Sequence, residues 1–358
     1  MKNPNIIDQV KAKRLIQALR GQACARPPFW FMRQAGRYLP EYQQLRRQET
    51  DFLKFCYTPE LAIEATMQPL RRFSPDAAIL FSDILVIADA LGSGVRFVEG
   101  QGPVLEPLRC EEDIARLTPE RVEEHLAPVF ETVRGITRAL PADVALIGFA
   151  GAPWTVALYM IEGRGGTDGS RARQWAYRNP ASFAKLIASL VDATIVYLDR
   201  QIDCGAEAIQ LFDSWAGLLA AEEFMTWVAA PTAQIVEALS VRHPQVPIIG
   251  FPRGCGVLYA DYAEMSGVDC VGCDSGVPVH WIHTQLQTRC AVQGNLDNQL
   301  LRVGGENLCA ATDRILAALG EGPFVFNLGH GILPDTPPQH LELVVERILG
   351  YQGVTAGA

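Results

Sequence analysis

Nothing in this chain marks it for the secreted, membrane-spanning or nucleic-acid-binding classes. Its nine cysteines are an odd number, scattered from Cys24 to Cys309 without the dense spacing of a disulfide scaffold, so reduced thiols are expected. Cys270-Val271-Gly272-Cys273 is a lone CxxC. No second CxxC and no HxxxH completes a zinc set, which leaves Cys255 and Cys290 as distant candidate ligands beside the simpler reading of small buried thiols on a strand. The longest uncharged run, over Ala145 to Ile161, falls short of the roughly 20 residues of a membrane span and is broken by Gly148, Gly151 and Pro153. Met1 to Arg20 mixes Lys2, Asp8, Lys11, Lys13 and Arg14 with apolar residues and lacks the apolar region of a secretory signal, so a cytoplasmic location is expected. Positive charge is also scarce. A net charge of −9 argues against a nucleic acid or a membrane surface as partner, so an anionic ligand needs a local basic pocket. The glycine-rich segment Glu162 to Ser170 has no Lys-Ser/Thr after it, and neither it nor Gly92-Ser93-Gly94 fits a dinucleotide fingerprint, so no cofactor and no metal is expected. That segment reads as a mobile loop over a mouth or as an ordinary surface loop. No repeat, charge block or low-complexity linker divides residues 1–358, which are expected to form a single domain.

What is present is an ordinary globular composition, 49% hydrophobic and 20% charged over 358 residues. Eight apolar, β-rich runs succeed one another: Phe29 to Met32, Ala77 to Leu85, Ala145 to Ala150, Ala208 to Phe212, Val246 to Phe251, Cys270 to Cys273, Cys290 to Gln293 and Phe324 to Leu328. Stretches of helical period separate most of them, at Pro59 to Arg72, Pro119 to Leu140, Ala181 to Gln201, Ala221 to Leu239 and Glu306 to Leu319. Thr58-Pro59-Glu60 and Thr118-Pro119-Glu120 read as helix starts, with a capping threonine and proline at the first helical position. The alternation predicts an α/β fold, a single (β/α)8 TIM barrel, with a doubly wound open sheet as the alternative.

The most informative stretch is Pro27-Pro28-Phe29-Trp30-Phe31-Met32-Arg33-Gln34-Ala35-Gly36-Arg37-Tyr38, where a strand-like run stops at two arginines four apart. Gly36 permits tight or positive-φ backbone, so Arg33, Arg37 and the amides between them can converge on one anion. Arginine suits forked contact with a carboxylate. Other candidates also follow predicted strands: Asp83 ends the second, Ser214 follows the fourth and His330 the eighth, with Tyr159 in the segment after the third. Each alone has an ordinary role, as helix cap, turn former, packed histidine or core aromatic. Their joint placement at one end of one barrel is what points to a site.

The run MRQAGRYLPEY strongly resembles the N-terminal signature of the uroporphyrinogen decarboxylase family. The resemblance continues through Gln68 to Phe73, Ile79 to Leu85, Gly151 to Thr155, Val292 to Asp297 and Asn327 to Gly331. It implies a barrel enzyme, a homodimer, that removes the four acetate carboxyls of uroporphyrinogen III without a cofactor, giving coproporphyrinogen III. By the same resemblance Arg33, Gln34, Ala35, Gly36, Arg37, Asp83, Tyr159, Ser214 and His330 bind the tetrapyrrole, with Asp83 catalytic and Arg46 a further matching arginine. Two segments depart from the family pattern. Asp274 to Pro278 is small where an aromatic is usual, and Asn298 replaces a common proline; both are expected to lie away from the carried-over residues. Two other readings stand beside this one. A corrinoid methyltransferase on the same barrel needs thiolate and histidine zinc ligands, and the chain has no His-x-Cys pair; a tetrapyrrole carrier needs the arginines but not Asp83.

Overall fold

The computed structural model describes Lys13 to Gly353; Lys2, Asp8 and Lys11, on which the N-terminal reading drew, lie outside the described residues. Nine strands are described: β1 (Ala77–Ile79), β2 (Arg96–Val98), β3 (Gly102–Val104), β4 (Ala145–Gly151), β5 (Ala208–Asp213), β6 (Ile248–Pro252), β7 (Cys270–Gly272), β8 (Ala291–Leu296) and β9 (Phe324–Leu328). β2 and β3 pair as a small antiparallel hairpin. The other seven curl into one parallel sheet in the order β1-β4-β5-β6-β7-β8-β9, helices covering its outer face.

The first expected strand is reduced to a single bridge, yet it closes the barrel. Phe29 pairs in parallel with Phe326 on one side, and on the other its carbonyl accepts the Asp76 N–H at 2.9 Å. The reason it is not a full strand lies in its donors. Pro27 and Pro28 have no N–H, and side chains take three of the next four: the Asp76 carboxylate accepts from Phe29, Gln34 Oε1 from Phe31 and Asn327 Oδ1 from Met32, leaving only Trp30 to donate to Phe326 O. The second strand is likewise shorter than the apolar run. Phe81 donates its N–H to Thr66 Oγ1, and Asp83 accepts from Leu85, so the chain leaves the sheet for the helix Val86–Ala90.

The helices Pro59–Phe73, Pro180–Asp203 and Gly305–Leu319 follow the expected periods. The stretch from Pro119 instead divides into a 3₁₀ turn, Val122–His125 and Ala127–Ala139, because Pro128 cannot continue a helix. Between Ala221–Phe224 and Ala230–Arg242 a π-helical turn, Met225–Ala229, accommodates Pro231. Neither threonine caps: Thr58 donates to Lys54 O and Thr118 to Leu91 O, while the prolines hold the first helical positions. Pro180–Asp203 is long and apolar enough to cross a membrane by length and composition. It is a shell helix, with Phe183, Leu186, Leu190 and Leu198 buried and packing on β4 and on the helices Pro153–Glu162 and Ala230–Arg242.

Inside the barrel a polar chain runs from Trp30 Nε1 to Gln293 Oε1 and from Gln293 Nε2 to Gln210 Oε1. Toward the carboxyl ends of the strands the rings of Phe149, Phe212 and Phe251 meet edge-to-face, giving the mouth an apolar floor.

Candidate active site

Above that floor, the turn after Met32 presents the first arginine. Arg33 adopts φ +63°, a left-handed conformation that a bulky side chain rarely takes. The sequence had suggested Gly36 for such backbone; instead Gly36 allows a close approach, since a Cβ there would lie 3.1 Å from the Arg33 carbonyl oxygen. Arg33 and Arg37 are exposed, and among the described residues neither guanidinium has an ion pair or hydrogen bond. Gln34 is turned the other way. Its side chain is buried, accepts from Phe31 and donates to Ala77 O at 3.1 Å, so only its backbone and that of Ala35 remain near the arginines. Arg46 is committed within the fold, where its guanidinium donates to the carbonyls of Glu49 and Thr50 and lies over the rings of Phe52 and Phe55.

Asp83 comes up from the far side. Its Oδ1 accepts the Leu85 N–H at 2.8 Å, as a turn-capping aspartate would, while Oδ2 has no hydrogen bond among the described residues. The side chain is only partly exposed, and desolvation pushes its carboxyl up to about 6, the Leu85 hydrogen bond and the Arg33 charge opposing. Tyr159 joins them: burial raises its phenol, Asp83 adds to the rise and Arg33 opposes it. Arg33, Asp83 and Tyr159 thus act on one another across one space. Gly165, from the glycine-rich loop, lies so close to the Tyr159 ring that a Cβ would be 2.8 Å from it.

Ser214 stands at the end of β5, on a turn held from behind by the Gly151-to-Thr155 segment. Thr155 Oγ1 donates to the buried Asp213 and accepts the Trp215 N–H, while Trp154 Nε1 donates to Trp215 O at 3.0 Å. Trp215 then meets Tyr159 edge-to-face at 6.3 Å. Desolvation pushes the Asp213 carboxyl up to about 7, against its Thr155 hydrogen bonds.

His330 is placed by its glycines. Gly329 presses on Ser275 and Gly331 on the Arg33 stem, where added Cβ atoms would come within 2.3 and 2.4 Å. Burial first, then the charges of Arg253 and Arg33, push the His330 ring down to about 4, so it is neutral near pH 7; its Nδ1 is buried without a partner among the described residues. The two segments expected to lie away from the site in fact support it. Asn298 Nδ2 donates to Gly331 O at 2.8 Å, and Ser275 backs Gly329. Asp274 accepts from Gly254 N and Tyr259 OH, beside Arg253. Arg253, Trp215, Asp274 and Asn298 carried no motif; position after a strand was the only signal for the first three.

Cys270 and Cys273 are fully buried thiols whose proton affinity desolvation raises well above normal, and among the described residues no three potential ligands cluster around a metal position.

The sequence profile described as uroporphyrinogen decarboxylase (URO-D) matches residues 10–351. The chain belongs to the uroporphyrinogen decarboxylase family. The decarboxylase of Rhodospirillum rubrum is 53% identical over 336 residues, covering 94% of this chain and 97% of that one. That of Chelativorans is 51% identical over 336 residues, 94% and 98% of the two chains. Among solved structures, a methyltransferase from Methanosarcina mazei superposes with a TM-score of 0.78 at 17% identity, covering 94% of this chain and 97% of its own. At that identity the likeness shows the fold alone, and it is a barrel. Family membership makes the chain a carboxy-lyase of tetrapyrrole biosynthesis.

Proposed function

We propose that this chain removes CO₂ from the four acetate side chains of uroporphyrinogen III to give coproporphyrinogen III. Asp83 is the catalytic residue, and Arg33, Gln34, Ala35, Gly36, Arg37, Tyr159, Ser214 and His330 form the substrate-binding set, Gln34 and Ala35 through their backbone. The carrying observation is the Asp83 carboxyl with one oxygen free, sharing its space with an unpaired Arg33 and with Tyr159. Losing CO₂ from a pyrrole acetate leaves an electron pair on the exocyclic carbon. Protonating the adjacent ring carbon first lets the pyrrole accept that pair, and the intermediate is then cationic. A preorganised carboxylate near the pyrrole N–H groups stabilises that cation more than the ground state. Asp83 is oriented for this by Leu85, and the approach of a cation favours its ionised form. The apolar floor suits the macrocycle face, and the rim arginines suit carboxylates that remain. His330 enters as a neutral hydrogen-bonding ring, because burial and two arginines oppose its protonation.

The pyrrole supplies its own electron sink, so the reaction as proposed uses no metal, nucleotide or organic cofactor. The same proposal includes one folding domain over 1–358, a homodimer and a cytoplasmic location. Incubating the purified chain with uroporphyrinogen under reducing conditions and counting product carboxylates is the test, with four lost per macrocycle expected. Binding without loss would leave a carrier. Activity should survive exhaustive chelation; its disappearance, restored by zinc, would return Cys270 and Cys273 as ligands. One thermal transition and a sedimentation mass of two chains are the expected physical results.

A further inference from the structure

We infer that Arg253 is a further substrate-binding residue, holding a propionate carboxylate that survives the reaction, on the side of the mouth where His330 stands. The inference rests on the reading of the mouth given above. Arg253 directly follows β6. On that strand Phe251 faces the barrel interior, its ring 6.1 Å from that of Phe212, while Gly250 faces outward against Tyr262. Arg253 opens the turn that follows the strand, its N–H donating back to Phe251 O at 3.1 Å, and its charge acts on the His330 ring. Its backbone is committed on both sides. The Arg253 N–H also donates to Asp213 O at 3.1 Å and its carbonyl accepts the Gly217 N–H at 3.0 Å. The next residue, Gly254, donates to Asp274 Oδ2 at 2.7 Å, an oxygen that Tyr259 OH also reaches at 2.7 Å. Gly217 and Gly254 approach so closely that a Cβ on Gly217 would lie 2.4 Å from Gly254 O.

A part-buried guanidinium therefore projects from a tightly held turn, and among the described residues it has no ion pair or hydrogen bond. Two other part-buried arginines are spent inside the fold, Arg26 on Asp76 and Arg200 on Glu123. A rigidly mounted arginine left unpaired in a mouth is ready for an anion from outside. Which carboxylate it takes follows from the chemistry. A carboxylate leaving as CO₂ loses its charge on the way to the transition state, so a guanidinium gripping it would stabilise the ground state and slow the step. A propionate keeps its charge throughout and can be held without that cost.

The test compares Arg253→Gln and Arg253→Lys with the wild type, using uroporphyrinogen for KM and kcat and coproporphyrin, which bears propionates only, for Kd. Arg253→Gln is expected to raise KM and the coproporphyrin Kd together by roughly 10- to 100-fold, with a much smaller change in kcat. Arg253→Lys should recover part of the loss. An NMR titration of His330 should show the ring taking up its proton at higher pH in Arg253→Gln, which verifies that the Arg253 charge stands beside the ring. Normal coproporphyrin affinity overturns the inference. So does a loss confined to uroporphyrinogen, which would place the contact on an acetate, or a lowered melting temperature with an unmoved His330 titration. Wild-type turnover beside normal binding by Arg253→Gln removes this inference alone. A wild type that holds coproporphyrin through Arg253 yet turns nothing over keeps it and removes the proposed reaction.

Discussion

The two ends of the barrel use the same residue types in opposite ways. At the amino end of β1, Asp76 accepts the Phe29 N–H and pairs with both Arg14 and Arg26, Arg26 in forked contact at 2.9 Å on each oxygen. Nearby, Lys13 reaches Glu207, which also accepts from Leu146 N, and Asp269 accepts from Ile248 N at 2.8 Å. At the carboxyl end, Asp83 keeps a free oxygen, Arg33, Arg37 and Arg253 have no carboxylate partner among the described residues, and His330 Nδ1 is unmatched. Charges satisfied within the fold hold the barrel shut; charges left unpaired at the mouth are open to a ligand. In a barrel the closed end carries stability and the open end chemistry, and this chain draws the line between them in its ion pairs.

Breaking the closed end should have the largest effect. Asp76→Ala removes a buried carboxylate that pairs with part-buried Arg26 and exposed Arg14 and accepts the Phe29 amide, and a loss of roughly 3 to 5 kcal/mol in unfolding free energy is expected by denaturant titration. The kcat of the protein that remains folded should not move; a fall in kcat at unchanged stability would erase the distinction between the ends. Next comes the mouth itself. Asp83→Asn should lower single-turnover decarboxylation by about 10²- to 10³-fold, the usual consequence of removing one preorganised electrostatic contact, while tetrapyrrole binding persists. Near-normal turnover would reduce Asp83 to a turn cap and leave the carrier reading standing.

Arg33→Ala and Arg37→Ala should each cost about 1.5 to 3 kcal/mol of coproporphyrin affinity, measured by fluorescence titration, and raised salt should weaken the wild type in the same direction. Arg33, closer to Asp83, Tyr159 and His330, is expected to lose more than Arg37, which lies nearer Tyr42 at the rim. Equal, wild-type affinity in both variants would remove the arginine turn from the site.

How much of this was legible in the sequence follows from how local each signal is. Phe324 to Leu328 forms a strand over the residues its apolar run marks, because a short β-rich segment bounded by turn residues is a local signal. Phe29 to Met32 reads as equally good, but Asp76, Gln34 and Asn327 side chains take its amides, and nothing within the run announces them. The arginine turn, Asp83 and His330 were visible because they sit in motifs after strands. Arg253 was not, since one arginine in a glycine-rich turn resembles a surface residue until its place beside His330 is known. Asn298 and Asp274 to Pro278 were expected to lie away from the site, since neither is among the carried-over residues. Parallel strands nevertheless deliver all their carboxyl ends to one mouth, and Asn298 reaches Gly331 directly.

The smallest effect is the most discriminating, because its sign differs between the ends. Desolvation raises the Asp83 carboxyl from its ordinary 3.8 to about 6, so across that window the folded chain binds more protons than the unfolded one. Stability contributed by this group therefore falls as pH rises from about 4 to 6, and the penalty is fully present above 6. Asn carries no such penalty. After discounting for the side chain's partial exposure, Asp83→Asn should be about 1 to 2 kcal/mol more stable than the wild type at about pH 8, the difference closing by about pH 4. Unfolding curves of the two proteins at both pH values measure this. A carboxyl kept in full contact with water would give no difference at either pH, since Asn caps equally well. A variant that is more stable at high pH but has lost turnover would show the mouth carboxylate held at a cost to the fold, as Asp76 at the other end is not.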